Sequence, residues 1–160
     1  MNTVLIDNEW LAVMLPKGFA PIDHQELEML IGAKYSRMWG VRDTKRHMML
    51  HVTWKDSGKL VSRFVSERSL AVRVDKKFAR CRPGSGYRND GFFERSVAGA
   101  DAPAQGFRFS YTVEDTEQEG EIMVFKYGIR CYTLNYYTRS QRAEPNRVVY
   151  ESIVASLKLQ

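Results

Sequence analysis

Apolar residues recur along the chain with two different periods, and the first part of the sequence uses both. Over residues 9–15, apolar side chains occupy both faces of an alternating pattern, which predicts a strand buried on both sides that ends at Pro16. Asp23 then stands where a helix N-cap is expected, with Glu26 three residues further on, as in a capping box. A short apolar stripe follows, so we predict a helix of about ten residues that ends at Gly32.

Two strands and a long amphipathic segment come next. Residues 37–43 and 46–55 alternate in polarity around a short polar turn, which predicts two strands. Over residues 59–82, apolar side chains recur at helical spacing and basic ones lie opposite, which predicts one amphipathic helix with a basic outer face. A local alternation leaves an extended conformation open for residues 70–80. The apolar stripe consists of Leu60, Phe64, Ala71, Val74 and Phe78, and the basic face of Lys59, Arg63, Arg73, Lys76, Lys77 and Arg80.

After Pro83 the apolar period changes to two, which is typical of strands. Consecutive strands of this kind are expected to form an antiparallel meander, with the acidic segment 115–120 at its first tip and residues 127–128 at its second. A final helix begins at residues 143–145, where a proline is tolerated in the first turn. The predicted strands are residues 91–97, residues 107–114, a run through Met123, Phe125 and Tyr127, and residues 129–138.

The order of the elements restricts the fold class. It is one strand, a helix, two strands, a helix, four strands and a helix. Because strands outnumber helices, the helices cannot all be crossovers between parallel strands. We therefore predict an α+β fold, an α/β/α sandwich in which a largely antiparallel sheet is flanked by helices. No linker or internal repeat divides the chain, so residues 1–160 are expected to form a single domain.

Composition indicates the class of protein but no activity. The 160 residues are 44% hydrophobic, 27% charged and 12% aromatic, which is typical of a globular domain and excludes a disordered tail. No run of 18 apolar residues occurs, so neither a transmembrane helix nor membrane insertion is expected. The N-terminal segment lacks the basic and apolar regions of a signal peptide. Cys81 and Cys131 lie far apart without a paired framework, so we expect a cytoplasmic protein with reduced thiols.

The net charge of +5 conceals two local clusters of opposite sign. Residues 59–82 contain eight basic side chains and two acidic ones, a local charge of +6. Residues 114–121 contain five acidic side chains and no basic one, a local charge of −5. We therefore single out the basic helix face as a candidate partner-binding surface and the hairpin tip as a candidate acidic patch. The acidic patch consists of Glu114, Asp115, Glu117, Glu119 and Glu121.

Three short segments resemble the Mog/PsbP-like family. They are residues 15–19 (LPKGF), 131–137 (CYTLNYY) and 152–157 (SIVASL), and the order of elements is similar over nearly the whole chain. The resemblance implies an α/β/α sandwich that acts without catalysis as an accessory or adaptor domain. The chain is similar to the bacterial members of the family, whose role is unknown. No functional residue of the family matches a position in this chain, so the resemblance assigns no site.

No catalytic, cofactor-binding or metal-binding pattern stands out in the sequence. His47 and His51 lie four residues apart on a predicted strand, about 13 Å at ~3.3 Å per residue, which is too far for one metal ion. Cys131 has no histidine near it in the sequence that could activate the thiol. The glycines at 84 and 86 precede a strand, whereas a phosphate-binding loop precedes a helix. We therefore predict no catalytic residue, no cofactor and no metal ion.

Three classes of function remain. The favoured hypothesis is a non-catalytic accessory domain that binds a protein partner through the basic helix face. The second is a small-molecule-binding domain or an enzyme with a cleft at the edge of the sheet. The third, nucleic-acid binding through the basic face, is disfavoured because aromatic side chains are not interleaved with the cations. The opposite charges of the two surfaces also allow self-association into a homodimer.

Overall fold

The alternating and helical patterns fold into ten strands and four α-helices in the computed structural model, which describes residues 1–31 and 37–160. Helix α1 (His24–Ile31) begins after Asp23, whose Oδ1 accepts a hydrogen bond from the backbone N–H of Glu26 at 2.9 Å, as the capping pattern predicts. The predicted end of this helix at Gly32 lies outside the described residues.

The strands are β1 (Asn2–Ile6), β2 (Leu11–Leu15), β3 (Ala20–Pro21), β4 (Met38–Asp43), β5 (Met48–Asp56), β6 (Arg88–Arg95), β7 (Ala104–Val113), β8 (Thr116–Tyr127), β9 (Arg130–Arg139) and β10 (Lys158–Leu159). The helices are α1 (His24–Ile31), α2 (Lys59–Phe64), α3 (Glu67–Arg80) and α4 (Ala143–Ala155).

Seven strands form the main sheet, which is antiparallel and has the order β3-β4-β5-β9-β8-β7-β6. Strands β7, β8 and β9 follow one another as the predicted meander. Strand β9 lies at the centre, and its neighbouring Cys131 and Tyr132 are 7% and 0% exposed, so both of its faces are covered. This confirms the prediction of burial on two sides for this strand.

The turn between β7 and β8 is shorter than the sequence predicts. Only Glu114 and Asp115 separate the two strands, and their φ angles are 47° and 63°. Such a left-handed two-residue turn matches the right-handed twist of the strands that it joins. The prediction of an acidic tip over residues 115–120 is therefore wrong, because most of that segment belongs to β8.

Helix α4 and a small second sheet cover one face of the main sheet. The small sheet has the order β1-β2-β10, so β2 is not a strand of the main sheet. Trp10 and Met14 are consequently 42% and 39% exposed, and the prediction that the segment at 9–15 is buried on both sides is wrong. The Tyr150 ring of α4 stacks on Tyr136 of β9 with their centroids 4.0 Å apart. Both rings belong to the largest apolar core of the protein.

Helices α1 and α3 cover the opposite face of the main sheet. The Phe78 ring of α3 packs on Phe109 of β7 with their centroids 4.8 Å apart, and Ala71 is fully buried against β8 and β9. Helix α1 lies close over β4, because a Cβ atom at Gly40 would stand only 2.9 Å from the Leu27 side chain. The predicted α+β fold, an antiparallel sheet flanked by helices on both faces, is thus confirmed.

The single helix predicted over residues 59–82 is two helices. The backbone becomes extended at Val65 and Ser66, which end α2 and begin α3. The Ser66 side chain accepts a hydrogen bond from the backbone N–H of Ser69 at 3.1 Å, which satisfies one of the unpaired donors at the start of α3. Residues 70–80 are helical throughout, so the extended alternative for this segment is excluded.

Candidate functional site

Helix α2 presents its apolar side chains to solvent. Leu60, Val61 and Phe64 are 72%, 53% and 76% exposed, and no residue of α2 is buried. Lys59 and Arg63 are exposed on the same helix. Large apolar side chains gathered on an exposed element are typical of contact surfaces. We call these five residues the α2 patch.

Polar contacts to the β8–β9 hairpin hold α2 in place. Lys126 Nζ donates to the backbone carbonyl oxygens of Ser62 and Val65 at 2.8 and 2.7 Å, and it forms an ion pair with Glu67 at 2.9 Å. Ser62 Oγ donates to the carbonyl oxygen of Gly128 at 2.7 Å. An ammonium group is favoured here because the last carbonyl groups of a helix lack partners and carry partial negative charge. Since this attachment uses no apolar side chain of α2, those side chains can remain exposed.

Helix α3 carries the other four predicted basic residues on its outer side. They are the exposed side chains of Arg73, Lys76, Lys77 and Arg80, which we call the α3 basic face. The acidic residues of this helix are engaged elsewhere, since Glu67 pairs with Lys126 and Asp75 accepts a hydrogen bond from the Tyr87 hydroxyl at 2.6 Å. The outer side of α3 therefore has a strong positive charge.

Two further arginines of the basic segment lie against aromatic rings of the protein itself. The guanidinium carbon of Arg82 lies 3.3 Å from the centroid of Phe78, and that of Arg68 lies 3.7 Å from the centroid of Phe92. Such cation–π contacts stabilise the protein and occupy both arginines. The prediction of one continuous basic face is wrong because the helix is interrupted at Val65 and Ser66. The six predicted residues belong to two helices, with Lys59 and Arg63 on α2.

The five predicted acidic residues do not form one exposed patch. Glu121 is 3% exposed, and its carboxylate pairs with Arg95 and Arg108, each at 3.0 Å. A buried carboxylate requires such partners, because an unpaired charge would be strongly destabilising. Glu121 is thus an internal group, and its inclusion in the acidic patch is wrong. The remaining acids are the exposed Glu114, Asp115 and Glu117 and the partly exposed Glu119.

A small cleft lies between α4 and strands β6 to β9, and its volume is about 110 Å³. The rings of Tyr136 and Tyr150 line it, and their buried hydroxyl groups have no hydrogen-bond partner of normal geometry among the described residues. Burial raises the pKa of both phenols, so both remain protonated. The edge strand β6 contributes Asp90 to the lining. This cleft is the feature on which the small-molecule hypothesis depends.

The histidines and cysteines lie apart from one another. His47 is in the turn before β5, whereas His51 is buried and stacks on Tyr137 with their centroids 5.6 Å apart. Burial raises the pKa of the Cys131 thiol, and Cys81 is exposed on the surface. Within residues 1–31 and 37–160, no three His, Cys, Asp or Glu side chains are grouped so that they could hold a metal ion.

Sequence reasoning missed the break that exposes the α2 patch and the lysine that anchors it. Ser66 followed by Glu67 is a typical start of a helix, an N-cap residue and an acid in the first turn, inside what reads as one continuous helix. Lys126 is the basic residue in the apolar run of β8. Its position in an apolar strand is a signal that a buried partner must exist.

Comparison with known proteins finds similarity in structure alone. No protein-family model matches the sequence, and no curated protein matches it significantly. The cyanobacterial PsbP protein CyanoP of Synechocystis sp. PCC 6803 has a TM-score of 0.74 at 14% identity, covering 99% of this chain and 92% of that one. The Ran-binding protein Mog1p of Saccharomyces cerevisiae has a TM-score of 0.63 at 6% identity, covering 99% and 96%. LpqN of Mycobacterium tuberculosis, involved in cell envelope biogenesis, has a TM-score of 0.57 at 11% identity, covering 94% and 83%.

The chain has the Mog/PsbP-like fold. The resemblance seen in the sequence is confirmed at this level, and three structures of different origin share the arrangement over nearly their whole length. Proteins with identities this low share a fold without necessarily sharing an activity, so the function must be argued from the surfaces of this chain. None of the helices in the described ranges is long and apolar enough to cross a membrane.

Proposed function

We propose that the protein is a non-catalytic interaction domain that binds an acidic protein partner through the α2 patch and the α3 basic face. The observation that carries the proposal is the exposure of Leu60 and Phe64 on a helix that Lys126 holds in place. A surface that is already ordered loses little conformational entropy on binding. The α2 patch is therefore preorganised to dock a partner.

The chemistry of the two surfaces defines the partner. Large apolar side chains serve as the anchors of protein interfaces, and charged side chains around them increase the rate and selectivity of association. Lys59 and Arg63 beside Leu60 and Phe64 have this arrangement. The partner that fits is a protein surface with an apolar pocket and a surplus of acidic side chains.

Two further considerations support a protein partner. Mog1p, which has the same fold, is described as a Ran-binding protein, so the fold is compatible with protein binding. Nucleic acid fits the α2 patch poorly, because phosphate groups are contacted by cationic and polar side chains. They make no apolar contacts with Leu60 and Val61. The favoured hypothesis from the sequence therefore remains the best supported one, with the apolar side chains of α2 added to the predicted basic residues.

The test is affinity capture from a cytoplasmic extract of the source organism, since the sequence predicts a cytoplasmic protein. The variants are Leu60→Ser with Phe64→Ser for the apolar anchors, and Arg63→Glu with Arg73→Glu for the charge. The matched control is Val148→Ser, because Val148 is 73% exposed on α4. We expect both double variants to lose an acidic protein that the native chain and the control retain. The captured protein, once purified, should bind the double variants at least about tenfold more weakly in calorimetry.

Three outcomes would contradict the proposal. Capture that is unchanged in both double variants places the binding surface elsewhere. Capture that is lost on nuclease treatment indicates nucleic acid in place of a protein. A dimer in analytical ultracentrifugation that the α2 variant abolishes shows that the occupant is a second copy of this chain, bound through its own acidic side chains.

A further inference from the structure

The cleft beside α4 lies on the face of the main sheet opposite α3, so it is separate from the α3 basic face. Its floor is formed by β7, β8 and β9, and the first turns of α4 contribute Ala143 and Arg147 to its wall. The volume of about 110 Å³ is well below the ~300–1,000 Å³ of sites for drug-sized ligands. A ligand of this cleft must therefore be much smaller than a nucleotide.

Several charged side chains of the cleft are already paired within the protein. Glu121 is held by Arg95 and Arg108, each at 3.0 Å. Asp90 is paired with Arg88 at 2.8 Å. These ion pairs shape the cleft and fix the positions of its side chains, but a ligand that competed for them would have to break existing salt bridges.

Two opposite charges in the lining remain without a salt bridge among the described residues. They are Arg147 on α4 and Glu119 on β8, and the charge of Glu119 also helps to raise the pKa of the exposed Arg88 on β6. Both act on Tyr136: burial raises the pKa of this phenol, Thr138 and Arg147 lower it, and Glu119 raises it. The hydroxyl of Tyr136 is itself buried beside Thr138, so it belongs to the floor of the cleft and not to its open surface. A cation on α4 and an anion on β8 thus line one small cleft.

We propose that the cleft binds a small zwitterion of the α-amino acid class. Arg147 receives the carboxylate of the ligand, and Glu119 receives its ammonium group. A ligand with both charges can pair with both side chains. A simple anion is repelled by Glu119, and a simple cation is repelled by Arg147. Selection against singly charged molecules therefore follows from the repulsion that each of them encounters.

The probes for calorimetric titration are glycine, L-alanine and L-serine, with acetate and methylamine as singly charged comparisons. We expect at least one of the amino acids to bind with a Kd below about 10 mM. Acetate and methylamine should bind at least about tenfold more weakly. Glu119→Gln and Arg147→Gln should each weaken amino acid binding about tenfold or more. The matched controls are Glu117→Gln on β8 and Arg142→Gln just before α4, which lie outside the lining and should leave the Kd unchanged.

The proposal is overturned if none of the three amino acids binds, or if acetate binds as tightly as they do, which would identify a simple anion site. It is also overturned if Glu117→Gln weakens binding as much as Glu119→Gln. Thermal unfolding of each variant establishes that the fold is intact. Because Arg147 is an exposed residue, Arg147→Gln keeps the test decisive even where Glu119→Gln disturbs the sheet. Neither result depends on the α2 patch, so this proposal and the proposed protein interaction can fail separately.

Discussion

Helices α2 and α3 are neighbours in the sequence and share one pattern of apolar and basic residues, yet they are held in opposite ways. Helix α3 buries Ala71 and Phe78 against the sheet. Helix α2 leaves Phe64 76% exposed and is held by the ammonium of Lys126. The sheet lies beneath α3, whereas α2 lies at the β8–β9 turn, where it contacts the Lys126 ammonium group and the Gly128 carbonyl oxygen. An amphipathic pattern thus predicts a helix, but the burial of its apolar side depends on what lies beneath it.

The largest expected difference between the two helices is the loss of stability when an apolar side chain of each is removed. Phe78→Ala should lower the free energy of unfolding by about 3–5 kcal/mol, because it removes a buried ring and leaves a cavity. Phe64→Ala should change it by less than about 0.5 kcal/mol, because that ring is exposed. Urea denaturation of both variants checks the prediction. Similar losses in the two variants would show that α2 is packed through its apolar side and would remove the α2 patch as a docking surface.

A somewhat smaller effect is expected for the polar anchor. Lys126→Met leaves two carbonyl groups and the Glu67 carboxylate without their partner, which should lower the free energy of unfolding by about 3 kcal/mol. The amide hydrogens of α2 should then exchange faster relative to those of α3, because the contacts that hold α2 are lost. Hydrogen exchange followed by mass spectrometry measures this difference. Lys55→Met, at an exposed residue of β5, is the control and should leave the exchange of α2 unchanged.

The smallest of the three effects depends on pH and concerns the face that α3 covers. Burial, together with the nearby Arg82 guanidinium, lowers the pKa of His51 from 6.5 to about 3. In this interval the unfolded chain binds a proton that the folded chain does not, so the free energy of unfolding falls as the pH falls. The loss amounts to about 2 kcal/mol at about pH 5.

Substitution of the histidine tests this dependence. Urea denaturation at a series of pH values should give a shallower dependence for His51→Leu than for the native chain, because the titrating group is gone. His24→Leu serves as the control, since His24 is exposed on α1. An unchanged slope in His51→Leu would show that other groups cause the loss of stability in acid.

Local patterns in the sequence were sufficient to predict those parts of the structure that depend on residues close together in the chain. The meander of β7, β8 and β9 follows from the alternation of its side chains, and the Asp23 cap follows from the position of Glu26. The break at Ser66 has a local signal too, but the continuous helical spacing on both sides conceals it. The candidate basic residues were identified from their spacing, whereas their division between two helices was not.

Contacts between distant segments account for what the sequence did not reveal. The apolar residues at 9–15 predict a strand buried on both sides, but β2 belongs to a small sheet between β1 and β10, and β10 lies at the other end of the chain. Glu121 was assigned to an exposed patch because its neighbours in sequence are acidic. Its burial depends on Arg95 and Arg108, which come from two other strands. The sequence around Glu121 does not show which distant residues will pair with it.

By itself, the sequence determined the α+β class and most of the helical and extended segments, because these depend on periodicity and on short-range hydrogen bonding. Only the tertiary structure decided which charges are exposed and which apolar side chains have no partner. Lys126 attaches α2 through the carbonyl oxygens of Ser62 and Val65, which lie 64 and 61 residues away in the sequence, while Phe64 is 76% exposed. The physical reason is that burial and pairing are properties of the assembled surface, where residues far apart in sequence become neighbours.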